Sequence, residues 1–161
     1  MISPKCRLAT AMKTRRLTKQ EVDAQPFRVW NAYADLLAME DYRDLAEEQR
    51  PAHLVFWYES EVQNGGHLQY FENRGTELLQ ETVNALGLLG AGCQQQILRE
   101  AGEVLVSRTR PPIRTVPEFS AVALKEEFSA FDSRFHACSP SLQECLEAYL
   151  VRRQSSFVTI I

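Results

Sequence analysis

Between Pro26 and Arg153 the apolar residues of this chain recur three and four places apart, and no window sustains a period of two. That spacing selects helices. A helix turns once in about 3.6 residues, whereas a strand sends every second side chain to the same face. Val29, Trp30, Tyr33, Leu36 and Leu37 form one such stripe, and Leu79, Val83, Leu86 and Leu89 (or Gly90) form another. Ile97, Ala101, Val104 and Leu105 make a third. Leu124, Phe128, Phe131 and Phe135 follow, and Leu142, Leu146, Tyr149 and Leu150 close the series. The pattern predicts an all-α fold: a compact single domain of about six to eight helices of unequal length, in two-layer packing.

The most constrained helix lies in the middle. A helix over about 46–62 would carry Glu47 and Glu48 in its first turn, where the helix dipole favours acids, and Pro51 early enough to be tolerated. Its stretch "HLVFWY" is apolar on nearly every side, so this is the predicted central core helix. Elsewhere Thr18 and Glu21 have capping-box spacing, Pro26 and Pro140 open helices, and Arg152 and Arg153 suit a helix end. Residues 107–117, "SRTRPPIRTVP", read as an exposed loop, and "FVTII" as a short terminal strand or a docked tail.

At 161 residues the chain has the length of one domain and can bury a core without staples. No apolar run approaches the roughly 20 residues needed to cross a bilayer, so no membrane partner is expected. Cys6, Cys93, Cys138 and Cys145 form no Cys-x-x-Cys pair, and no His stands at ligand spacing from them. No metal or other cofactor is expected. Scattered thiols point to a reducing cytoplasm, with Cys93 and Cys145 as small buried hydrophobes.

The net charge of −3 conceals a split. Lys5, Arg7, Lys13, Arg15, Arg16 and Lys19 give the first 20 residues a charge of +6, and the remainder carries −9. Residues 1–17 read as a basic flexible tail, with Met12 as a second possible start, and residues 18–161 as the domain. The tail lacks the apolar core of a signal peptide. Together with Arg108, Arg110 and Arg114 it offers one alternative function, nucleic-acid binding. The opposite charge gathers over residues 35–61, where eight acids stand against Arg43 and Arg50. Asp35, Glu40, Asp41, Asp44, Glu47, Glu48 and Glu59 form the candidate acidic binding face; the eighth acid is Glu61.

The stretch "ESEVQNGGHLQYFENRG" poses the sharpest question. Leu54, Tyr58 and Glu61 share a helix face, so Glu61 points into or beside the core and needs partners there. Asn64, His67, Gln69 and Asn73 are the candidates. Gly65 or Gly66 can take the left-handed conformation that ends a helix, and Asn64 can cap the next segment. That segment is only two turns, with Leu68 and Phe71 to pin it and Tyr70 beside them. Two readings stay open. One is a structural joint held by a polar network; the other is a catalytic or metal cluster of Glu61, His67 and Glu72, with a hydrolase using Glu61 and His67 as its enzymatic form. No HExxH and no nucleophile with a defined partner accompanies them.

This stretch, with Gln49, Arg50 and Trp57 ahead of it, resembles the "ExEVxNGGxxQYFxN" pattern of a bacterial family of helical domains that includes a DNA-mimic protein. The matching positions are Glu59, Glu61, Val62, Asn64, Gly65, Gly66, Gln69, Tyr70, Phe71 and Asn73. The chain departs from the family pattern at Gln63, at His67–Leu68 and at Arg74. "FSAFDSRFHA" resembles the family's segment near its C-terminal end, so the likeness would cover roughly residues 26–157. The resemblance implies an all-helical, cytoplasmic, non-enzymatic protein whose partner is a protein, such as a helix-turn-helix regulator bound in place of DNA. Carboxylates on a rigid surface would stand in for phosphates and attract the same Lys and Arg side chains. The expected partner is therefore a basic protein. The oligomeric state stays open, a homodimer among the options.

Overall fold

The computed structural model describes residues 11–109, 111–123 and 126–161. Among them are eight helices and two short strands. β1 (Arg15–Leu17) leads into α1 (Lys19–Ala24) and α2 (Arg28–Met39). A single 3-10 turn, Tyr42–Asp44, precedes the long α3 (Arg50–Arg74). Then come α4 (Leu79–Leu88), α5 (Gly92–Val106), α6 (Val116–Ala123), α7 (Ser129–Ala137) and α8 (Leu142–Arg153), and β2 (Val158–Ile160) ends the chain. The all-α expectation holds. The helices range from 6 to 25 residues and pack around α3.

α3 touches α2, α4, α7 and α8. Its Val55, Tyr58 and Val62 lie in the core with Leu36 and Leu37 of α2, Leu86 of α4 and Leu146 of α8. A helix surrounded on so many sides must be apolar around most of its circumference, which explains "HLVFWY". The helix begins at Arg50, however, with Pro51 in its first turn. Glu47 and Glu48 therefore sit in the turn before it and not in its first turn as the sequence suggests. The Gln49 side chain organises that turn, accepting from the Ala46 amide at 3.0 Å.

The capping box expected at Thr18 and Glu21 forms, and α8, expected to open at Pro140, starts at Leu142 behind a second box of Ser141 with Glu144. "FVTII" is a strand. β2 pairs in parallel with β1, Arg15 opposite Val158 and Leu17 opposite Ile160, and Phe157 beside it is fully buried. The sequence places residues 1–17 in a flexible arm, but 15–17 are strand and the Lys13 carbonyl accepts from buried Gln49 at 2.6 Å. Residues 1–10 of the expected arm and Leu124 of the predicted aromatic stripe lie outside the described residues.

The cysteines need a correction. Cys93, near the start of α5, is disulfide-bonded to Cys138, just past α7, and its surface is exposed. It is not a buried free thiol. Cys145 does fit that reading: it is free, buried in α8, and burial pushes its thiol pKa upward.

Candidate functional site

The joint inside α3 is built by two glycines and an acid from a different helix. Gly65 leaves helical geometry at φ −151° and Gly66 takes φ +71°, so the chain turns and a second helical segment starts at His67. The freed amide of His67 donates to the Asp132 carboxylate of α7 at 2.9 Å. Asn64, the expected cap, donates its amide to Gln69 Oε1 at 3.0 Å instead. A Cβ on Gly66 would stand 2.5 Å from Asp132 Oδ2. Glycine is required here twice, by the left-handed backbone and by the close approach of the carboxylate.

Asp132 also meets His67 Nδ1 at 2.6 Å, and the Tyr58 hydroxyl meets Nε2 at 2.8 Å. Asp132 only accepts, so Nδ1 carries a proton and the tyrosine completes the ring. Burial opposes the Asp132 charge, but the two bonds from His67 outweigh it and hold the carboxyl below its usual pKa. Desolvation pushes the Tyr58 phenol well above its ordinary value. Tyr58 and His67 are both fully buried. This Tyr–His–Asp chain, with no surface on its imidazole, joins the two halves of α3 to α7.

Glu61 belongs to a separate network. It is 7% exposed, and Oε2 accepts from Gln69 and Asn73, each at 2.8 Å. Oε1 pairs with Arg74 Nε at 3.1 Å. The Arg74 guanidinium lies over the Trp57 ring, 3.8 Å from its centroid. Glu61 thus ties the second half of α3 back to the first. Of its expected partners, Gln69 and Asn73 are present, Asn64 acts through Gln69, and His67 is engaged elsewhere. Glu61 and His67 share no bond and Glu72 is exposed, so the three form no cluster. Tyr70 and Phe71 are core residues.

The acidic face divides into three groups. Arg15 bonds Asp35 through Nε at 2.6 Å and Glu40 through Nη1 at 3.0 Å. Lys13 reaches Glu40 at 2.6 Å and Asp44 at 3.6 Å. The bonds from Lys13 and Arg15 hold the Glu40 carboxyl below its ordinary pKa. Asp41, Asp44, Glu47 and Glu48 are exposed between α2 and α3. Asp41 also caps the 3-10 turn through the Arg43 amide. Glu59 stands apart: it is half-buried against α8 near Gln143 and Glu147, and desolvation raises its pKa. The same pairs bear on the nucleic-acid reading. Lys13 and Arg15 are spent on the domain's own acids, Arg108 pairs with Glu127 at 3.5 Å, and Arg110 lies outside the described residues.

Sequence reasoning names Gln49, and the segment that holds Asp132, only for the family resemblance and gives neither a role; it passes over the Lys13–Arg15 pairs. Asp132 left a signal: it sits four residues after Phe128 and three before Phe135, an acid on an apolar stripe. Gln49 stands next to a proline at a helix start, and nothing local marks its amide as the one that is fully buried.

Comparison with known proteins gives one family. The model of the DMP19-like protein family, DNA mimic protein 19 being its namesake, matches residues 43–154. Neither the curated proteins nor the solved structures yield a match.

Proposed function

The chain belongs to the DMP19-like protein family, and from that premise we propose that it is a non-enzymatic binding module, a regulator or inhibitor that captures a basic protein through its acidic face. A DNA-binding regulator is the partner class that fits best, because its Lys and Arg side chains are already arranged to meet rows of negative charge. The observation that supports this reading is the ion pairing of Lys13 and of Arg15 in β1. The face accepts a lysine and an arginine from the chain's own edge, at 2.6 Å each for Lys13–Glu40 and Arg15–Asp35. Beside them Asp41, Asp44, Glu47 and Glu48 remain exposed on a segment fixed by Gln49.

The test is capture of the partner with the wild-type protein and with a fourfold reversal, Asp41→Lys, Asp44→Lys, Glu47→Lys and Glu48→Lys. All four side chains are exposed, so the fold should survive. The identified partner should bind wild type at low salt, weaken at higher salt, and lose the reversed protein. Binding indifferent to both salt and reversal contradicts the proposal.

A further inference from the structure

A cavity of about 440 Å³ opens between the end of α2, both halves of α3 and the start of α4. It falls in the size range of small-molecule sites. It exists because the glycine joint folds Arg74 and Tyr70 back toward His53 and Trp57. Leu54 and Leu78 supply apolar wall.

Two polar groups in it are unfinished. His53 is 7% exposed, and among the described residues its Nδ1 has no hydrogen-bond partner. Burial, with the nearby Arg74 charge, lowers the ring's pKa to about 4, so it is neutral near pH 7. A neutral imidazole carries one N–H and one acceptor nitrogen, and in the tautomer protonated at Nε2 the unpartnered Nδ1 is the acceptor. A buried acceptor without a donor is costly, and a ligand N–H would relieve that cost. The second group is Arg74. Its hydrogen bond among the described residues runs from Nε to Glu61, which leaves the Nη edge to donate.

We propose that this cavity binds a small planar molecule that presents an N–H beside a carbonyl, the lactam or amide edge found on nucleobase-like heterocycles. The N–H donates to His53 Nδ1, the carbonyl accepts from Arg74, and the flat ring lies among Trp57 and Tyr70. Glu40 and Asp41 of the acidic face also line the cavity, but neither makes the proposed contacts, and the ligand does not depend on capture of a protein partner. A carboxylate would satisfy Arg74 but bring no donor to His53, and it would face Glu40 and Asp41, which also line the cavity; an alkylammonium could meet those acids but has no acceptor for Arg74.

The test is a protein-observed NMR titration with uracil, hypoxanthine and benzamide. At least one should shift the resonances of the cavity residues saturably, with half-saturation at about 1 mM or below, as suits a fragment. N-methylated uracil, which keeps the carbonyls and lacks the donors, should bind at least tenfold more weakly. His53→Phe, checked for folding by circular dichroism, should lose binding to the same extent. No saturable shift from any of the three at about 10 mM overturns the proposal. So does equal binding by N-methylated uracil, or preference for benzoate over benzamide.

Discussion

Gly66 is the position at which the least change should do the most harm. Gly66→Ala places a Cβ 2.5 Å from Asp132 Oδ2 at a φ of +71°. The expected loss is about 2–3 kcal/mol, read by chemical denaturation. Asp132→Ala should cost a similar 2–4 kcal/mol, because it leaves the buried His67 amide and ring nitrogen without an acceptor. Asp132→Asn keeps one acceptor and should recover part of that loss. An Asp132→Ala variant as stable as wild type would contradict the role given to the Tyr58–His67–Asp132 chain. His53 makes a separate prediction about pH. Its folded pKa of about 4 lies below the ordinary 6.5, so the unfolded chain binds the proton first. Stability from the neutral ring is full above pH 6.5 and is lost as pH falls toward 4. The loss from this group is at most about 3 kcal/mol. His53→Phe should flatten the stability profile over that window; an unchanged profile would show that His53 is not buried as described.

Among elements, the joint was legible in part. The two glycines announced the break, and Leu68 and Phe71 pinned the second segment as their spacing predicts. The acid that receives the restarted helix comes from α7, 65 positions away, and no local pattern reveals such a pairing. The same limit hid the role of Gln49, whose side chain joins the Lys13 carbonyl, the Ser156 carbonyl and the Ala46 amide. These bonds span 36 and 107 residues. Gln49→Leu should therefore loosen three segments together, and faster amide exchange in β1 and β2 would show it. The cysteine spacings likewise did not indicate which thiols meet. Reduction of Cys93–Cys138 opens a loop of 45 residues and should lower stability by about 4 kcal/mol, or on the order of 10 °C in Tm. A Cys93→Ala variant should melt at the reduced protein's temperature whether or not reductant is present.

At the scale of the molecule, the all-helical class followed from the spacing of apolar residues, and the family match covers residues 43–154 of it. The charge distribution was legible only as a sum. Composition shows a basic beginning and an acidic body; it does not show that Lys13 and Arg15 neutralise Glu40 and Asp35. The acidic face is therefore narrower than the run of acids suggests, centred on Asp41, Asp44, Glu47 and Glu48, with Glu59 turned toward α8. This makes the Lys13→Ala/Arg15→Ala protein informative. It frees three carboxylates, Asp35 and Glu40 beside the face and Asp44 within it, and binding of a basic partner should strengthen, the more so at low salt.

The most direct test of that account is the affinity of the captured partner for the wild-type and fourfold-reversed proteins, measured at about 50 and 200 mM salt with and without duplex DNA. The prediction is a wild-type affinity that falls with salt, competition by DNA, and little binding to the reversed protein. Equal affinity for both proteins at both salt concentrations would contradict it.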